Sequence, residues 1–245
     1  MKIRFFRSIK ELIRKCWLET IDSKAFVEYL RKRGISIGEN VRFRYPAHTL
    51  IDQNRPTLIE FGDNIDINDN FTLLTHDFGA YAIRGKYGEF INSSGKVKIG
   101  SNVVIGRDVT ILKGVEIGDN TIIALGAVVT KSMPPNSVVA GIPARVISSL
   151  DEYYIKRKGL QEKEALEYAS SIIQRENRVP RIEDFYEEWV LFLTRDEYEN
   201  NPTVKKNVDY RLKGYVELDA FFEKQKPYNG FEDFMRAVHA YNNQK

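Results

Sequence analysis

Through the middle of this 245-residue chain an aliphatic residue returns every six positions. Counted from Ile99, the blocks IGSNVV, IGRDVT, ILKGVE, IGDNTI, IALGAV and VTKSMP put Ile99, Ile105, Ile111, Ile117, Ile123 and Val129 at the first place of each. Earlier blocks, IGENVR at Ile37, FGDNID at Phe61, INDNFT at Ile67 and LLTHDF at Leu73, keep one phase among themselves. Two stretches interrupt the rhythm, a polar run around Asp52 to Pro56 and a segment after His76. A period of six matches neither the helical repeat nor strand alternation, so the backbone must return to the interior every six residues. A three-sided coil does this, with about three blocks and 18 residues to a turn, one short strand and one corner per block. Successive coils then stack at roughly the 4.8 Å strand spacing, with the first-place aliphatics as their core. Gly at the second place and Asn, Asp or Gly at the fourth suit corners that need a permissive backbone, positive φ included.

The flanks follow other rules. Ile3, Phe6, Ile9, Ile13, Cys16 and Trp17 recur at threes and fours, predicting an amphipathic helical segment over residues 1–34 that ends at Gly34. Ten Lys or Arg stand in residues 2–33 against four acids, so this helix either packs by its apolar face or rests that face on an anionic membrane surface. After Pro143 the six-residue rhythm stops, and LDEYYIKRKGLQEKEALEYASSIIQREN reads as charged helix. The expected organisation is the N-terminal segment, a repeat domain over 35–147 with an inserted loop at 78–96, and a helical extension over 148–245 whose Trp189, Phe192 and Phe222 belong to a core. A single cysteine, Cys16, forbids an intrachain disulfide, and no apolar run has the length of a spanning helix or the layout of a signal peptide. The compartment expected is the reducing cytoplasm, at the inner face of the membrane if the basic helix binds there.

The stretch IGSNVVIGRDVTILKGVEIGDNTIIALGAVVTKSMPPNSVVAGIPARVI, residues 99–147, resembles the hexapeptide-repeat acyltransferases, in particular the maltose and galactoside O-acetyltransferase branch. Its closing VVTKSMPPNSVVAGIPARVI, residues 128–147, is similar to the signature with which that family ends its last coil. With LLTHDFGAY and LDEYYIKRKG, the pattern over residues 35–165 resembles bacterial enzymes that O-acetylate capsule or O-antigen sugars. The resemblance implies a mainly β protein, a left-handed parallel β-helix, assembled as a homotrimer with acetyl-CoA in the groove between subunits. The left hand is an exception to the general preference for right-handed crossovers and comes from the resemblance alone. It also implies an acetyltransferase acting on a sugar or glycan hydroxyl in surface polysaccharide synthesis.

The resemblance places the catalytic base at His76, just before the inserted loop. A sugar hydroxyl is too weak an acid to attack as alkoxide near neutrality, and neutral imidazole can take its proton as the bond to the thioester carbon forms. Asp77, Glu89 or an acid elsewhere in the chain could orient that ring, and Asp77 could instead cap a turn. Asn68 and Asn70 sit at corner places where substrate contact and turn chemistry are both open. For the cofactor, the matching positions are Arg107 and Leu125 by backbone, Ala124 as a small wall, and Thr130, Lys131 and Arg145 by side chain. Phosphates want Lys or Arg, and a pantetheine arm wants strand-like backbone. Val104 stands where relatives often have Trp, and Ala124-Leu125 where they have Gly-Ala. The other histidines, His48 and His239, lie far apart in sequence, so no metal is expected. Phosphate loops, Ser-His-Asp and Cys-His arrangements are missing, and the basic segment lacks the interleaved aromatics of nucleic-acid binders. Two alternatives stay open: transfer to the amine of a nucleotide-linked sugar or to serine, and a non-catalytic scaffold.

Overall fold

A computed structural model describes residues 20–212 and 215–243. Ile3, Phe6, Ile9, Ile13, Cys16 and Trp17 lie outside them. The described residues fall into two compact units that divide between Tyr153 and Tyr154.

In the first unit, helix α1 (Ser23–Lys32) starts where the Asp22 carboxylate accepts from the Ala25 amide at 2.8 Å. It buries Phe26, Val27 and Leu30, with Phe26 edge-on to Phe43 at 5.1 Å. Short strands then wind into three sheets. The first sheet stacks β1 (Ser36–Ile37), β4 (Ile59–Phe61), β7 (Val97–Ile99) and β10 (Glu116–Ile117). The second stacks β2 (Val41–Phe43), β5 (Ile65–Ile67), β8 (Val104–Ile105) and β11 (Ile122–Ile123), extended by the hairpin β13 (Ser137–Gly141) and β14 (Ala144–Ser149). The third stacks β3 (Leu50–Ile51), β6 (Thr72–Leu73), β9 (Thr110–Ile111) and β12 (Val128–Val129). Every pairing but the last hairpin is parallel, the arrangement of a left-handed parallel β-helix. In the regular coils Ile99 lies under Ile117, Ile105 under Ile123 and Ile111 under Val129, so each side recurs after three blocks.

The core is richer than one aliphatic per block. Besides the first-place column, the residues two places earlier, Val97, Val103, Val109, Val115, Thr121, Ala127 and Met133, are also buried. At the corners, Asn40, Asn64, Asn70, Asn102, Asp108 and Asn120 adopt φ between 54° and 57°. Their side chains climb from coil to coil, as in Asn40–Asn64 at 2.9 Å and Asn102–Asn120 at 3.1 Å. This amide ladder offsets the cost of left-handed backbone at a residue with a side chain. The second-place glycines answer a different need from the one expected. Gly118 and Gly106 have negative φ, but a Cβ on Gly118 would lie 2.3 Å from Pro135 N, and one on Gly106 2.6 Å from Leu125 N. The clearance between stacked backbones demands them, not the dihedral.

The rhythm breaks in three places. A short turn at Pro46–His48 and another at Pro56–Leu58 lengthen the first coil, and Ile51 falls eight residues after Phe43 rather than six. The insert after His76 is partly helical where a loop is expected: α2 (Ala80–Tyr87) ends at Gly88, whose φ of 71° lets its N–H reach the Arg84 carbonyl at 3.0 Å. The second unit holds most of α3 (Leu150–Glu176), then α4 (Arg195–Asn200), α5 (Pro202–Leu212), α6 (Leu218–Glu223) and α7 (Phe231–Asn242). Its core stacks Phe192 on Phe234 at 4.8 Å beside buried Trp189, with Phe222 half-buried at its margin. Among the described residues no helix is long and apolar enough to cross a membrane.

Candidate active site

Two corners of the prism carry the polar side chains singled out in the sequence. The chain turns from the third sheet to the first at Asp52, at Thr75–His76, at Lys113 and at Thr130–Lys131, one coil above another. It turns from the second sheet to the third at Arg44–His48, at Asn68–Asn70, at Arg107 and at Ala124–Leu125.

At the first corner, His76 Nδ1 meets Asp52 Oδ2 at 2.5 Å. The Asp52 side chain is 2% exposed and that of His76 17%. The same oxygen accepts from the Thr75 hydroxyl and, at 3.2 Å, from the Thr75 amide, while Oδ1 accepts from the Asn54 amide at 3.0 Å. Burial pushes the Asp52 carboxyl up, but the donors Thr75 Oγ1, Asn54 N–H, His76 and Thr75 N–H outweigh it and bring it down to about 2. An ionised carboxylate only accepts, so Nδ1 carries the proton of the neutral ring and Nε2 carries the lone pair. Among the described residues Nε2 has no hydrogen-bond partner and no buried side-chain nitrogen or oxygen lacks one, so Nε2 is not buried.

Asp77 does not orient His76. Its Oδ2 instead takes Lys113 Nζ at 2.6 Å and Ser93 Oγ at 2.8 Å, and its Oδ1 takes the Gly79 amide at 2.8 Å. Lys113, with the Gly79 amide and the Ser93 hydroxyl, holds this carboxyl well below the usual carboxylate range. A bridge between His76 and Ser94 completes this clasp at the base of the insert. Glu89 is exposed within the insert, and the ring nitrogen it was expected to hold is already taken by Asp52. Asn68 and Asn70 lie at the other corner from His76. Asn68 Oδ1 accepts from the Asp69 amide at 2.9 Å within the turn, and the Asn70 amide group donates to Asp108 Oδ1 one coil up at 2.9 Å.

The expected cofactor residues divide between the corners. Thr130 and Lys131 share the corner of His76, two coils higher, with Lys131 exposed. Arg107, Ala124 and Leu125 stand at the other. The Arg107 carbonyl accepts from the Gly126 amide at 2.8 Å, its guanidinium rests on Asp69 at 2.8 Å, and Leu125 is 77% exposed. Arg145, on β14, is exposed and donates to the Ala144 carbonyl at 2.7 Å. Exposed cations on the upper coils and strand-like backbone along the third sheet suit the phosphates and amide arm of coenzyme A.

Two features escaped the sequence reading. Asp52 is one. The other is a second pair, His48 Nδ1 with Asp69 Oδ1 at 2.6 Å, with Tyr45 stacked on the His48 ring at 6.1 Å. The hydrogen bond from His48, against some desolvation and with help from Arg107, holds Asp69 below the usual range. Among the described residues no group of three or more His, Cys, Asp or Glu is placed to hold a metal ion.

Residues 96–131 match the family described as bacterial transferase hexapeptide (six repeats). The galactoside O-acetyltransferase of Escherichia coli K12 is 36% identical over 155 residues, 60% of this chain and 73% of that one. Protein CapG of Staphylococcus aureus is 31% identical over 144 residues, 59% of this chain and 83% of that one. A maltose O-acetyltransferase structure from Clostridium difficile 630 aligns at 30% identity with a TM-score of 0.39, over 58% of this chain and 84% of that one. The chain belongs to the bacterial hexapeptide-repeat transferase family. Within that family it is an acetyltransferase.

Proposed function

We propose that this enzyme moves the acetyl group of acetyl-CoA to a hydroxyl of a sugar in surface polysaccharide assembly, with His76 as general base. The observation that carries this reading is the Asp52–His76 pair, which protonates Nδ1 and leaves the lone pair of Nε2 unburied. His76 Nε2 takes the hydroxyl proton as the sugar oxygen attacks the thioester carbonyl carbon. The tetrahedral intermediate collapses with cleavage of the C–S bond, and the imidazolium returns the proton to the departing thiolate. Asp52 steadies the imidazolium through this cycle and stays ionised. No covalent bond to the protein forms. Thr130, Lys131 and Arg145 hold the phosphates of the donor. Three copies around an axis complete each groove with a neighbour's wall, since closed rings arise from heterologous contacts. The enzyme works in the cytoplasm, with its basic N-terminal segment against the inner membrane face.

The test is release of free thiol from acetyl-CoA in the presence of a panel of sugars, glycan fragments, amino-sugar nucleotides and serine. His76→Ala is expected to lose roughly a hundred- to ten-thousand-fold in kcat while acetyl-CoA still binds. An unaltered rate refutes the base assignment, and turnover confined to amines or serine refutes the sugar.

A further inference from the structure

The insert that begins beside His76 displays aromatic rings that the repeat fold does not need. Phe78 is 72% exposed, Tyr81 55% and Phe90 64%. They form a continuous run from the base outward: His76 to Phe78 at 5.4 Å, Phe78 to Tyr81 at 6.1 Å, Tyr81 to Phe90 at 6.0 Å. Of these residues and helix α2, only Ala80 is buried. The insert is fastened at its base by the Asp77–Ser93–Lys113 clasp and by the His76–Ser94 bridge, so the run is held in place relative to the base. Contiguous exposed apolar surface of this kind marks a recognition site.

We propose that Phe78, Tyr81 and Phe90 form a platform for a glycan acceptor of at least two sugars, with the sugar on Phe78 the one that is acetylated. This rests on the reading of His76 as the base of sugar acetylation. A pyranose has an apolar C–H face and a rim of hydroxyls. Seated by that face on Phe78, it turns its rim toward the ring that touches Phe78, which is His76. The spacing between successive rings is comparable with the length of one sugar unit, so Tyr81 falls beside the next residue of a chain and Phe90, its plane 83° from that of Tyr81, beside the one after. Arg84, whose guanidinium lies 5.1 Å above the Tyr81 ring, sets hydrogen-bond donors beside the platform for sugar oxygens. A single amino acid would cover one ring and leave the rest of the run in water, which favours a glycan over serine.

The experiment measures kcat and KM for glucose, galactose and N-acetylglucosamine and for their linked oligomers, in the wild type and in Phe78→Ala, Phe78→Tyr and Phe90→Ala, with size-exclusion of each protein. The wild type is expected to gain catalytic efficiency with chain length. Phe78→Ala should raise acceptor KM about tenfold, the loss expected for one partly buried ring, with the KM for acetyl-CoA unchanged and Phe78→Tyr restoring the value. Phe90→Ala should abolish the gain with length. Acetylation of sugars without any length dependence, or unchanged acceptor KM in Phe78→Ala, overturns the platform and leaves the base assignment standing. Loss of the wild-type oligomer in these variants assigns the rings to a contact between copies and overturns it as well. If no sugar of any length is acetylated, the reading of the enzyme as a sugar acetyltransferase falls with it.

Discussion

Replacing Asp52 by Asn isolates the charge that the site places behind its base. The side chain is nearly isosteric, and with its carbonyl oxygen in the place of Oδ2 it keeps the acceptor used by the Thr75 hydroxyl, the Thr75 amide and His76 Nδ1. Its amino group then faces the Asn54 amide, where a donor meets a donor and one buried hydrogen bond is lost. The larger effect is on catalysis. What the substitution removes is the negative charge behind the ring; the attraction between that charge and the imidazolium arises only as His76 takes the proton, and is worth about 1.5–3 kcal/mol on the scale of hydrogen bonds to charged groups. Losing it from the transition state alone lowers kcat by about ten- to a hundred-and-fifty-fold. Acetyl-CoA affinity should stay at the wild-type value, because Asp52 lies under His76 and away from the solvent side. Steady-state kinetics with thiol detection, isothermal titration with acetyl-CoA and the Asp52→Asn/His76→Ala double variant together read this out. The double variant should be no slower than His76→Ala, since the carboxylate acts only through the ring. His48→Ala is the control for the second pair and should keep kcat within a few-fold. Asp52→Asn at full kcat beside an inactive His76→Ala would refute the positioning role. A His48→Ala loss equal to that of His76→Ala would refute the choice between the two pairs.

Two further outcomes follow from the packing and the ionisation. Gly118→Ala forces a Cβ to within 2.3 Å of Pro135 N and 2.6 Å of its Cα, both backbone, so thermal unfolding should show a loss of about 1–3 kcal/mol; Gly159→Ala, with nothing within 4 Å of its new Cβ and a position inside α3, should gain up to about 1 kcal/mol. Equal shifts for the two glycines would mean that coil clearance does not explain the second place of the block. Asp52 is depressed from its ordinary 3.8 to about 2, so its contribution to stability is present in full above pH 3.8 and fades as pH falls toward 2. The gap in unfolding midpoint between wild type and Asp52→Asn should therefore be widest near neutrality and close on acidification, and a gap that is constant with pH would show that the carboxylate is not held ionised by the fold.

Much of this could be read from spacing alone, and the physical reason is that a repeat with fixed geometry turns sequence distance into space. Ile99, Ile105 and Ile111 had to lie inside because a six-residue return admits little else, and Asn102 or Asn120 had to take the corner because positive φ suits asparagine. Reading only the first place of each block missed Val103 and Val109, since a strand of two residues plus the residue that leads into it from the corner turns two side chains inward per block. The second-place glycine was readable as a corner residue, but its cause, a backbone on the next coil closer than a Cβ permits, exists only once coils are stacked. His76 could be found because it stands at the end of a block. Its partner could be expected only as an acid elsewhere than Asp77 and Glu89, because Asp52 comes from the coil below, 24 residues earlier, and no spacing along the chain names it.

The position of Asp52 shows why the active site sits where the repeat is broken. A regular coil puts residue for residue above its predecessor, so a corner in perfect phase would give His76 a corner asparagine or glycine beneath it. The turn at Pro46–His48 delays Ile51 by two residues relative to Phe43, and the turn at Pro56–Leu58 restores the phase by Phe61. Between them the strand Leu50–Ile51 still pairs with Thr72–Leu73, which carries Asp52 under Thr75 and His76 although it belongs to no block. One coil up, the insert leaves from the same corner and carries its clasp and aromatic run with it. The turn at Pro56–Leu58 and the insert therefore open on one edge of the prism, beside a buried carboxylate on the lower coil and with an exposed aromatic run on the upper one. The unbroken coils above continue that edge as a straight wall on which Lys131 is exposed, while Lys113 is engaged by Asp77. The repeat provides the rigid wall, and the two departures from it provide the chemistry.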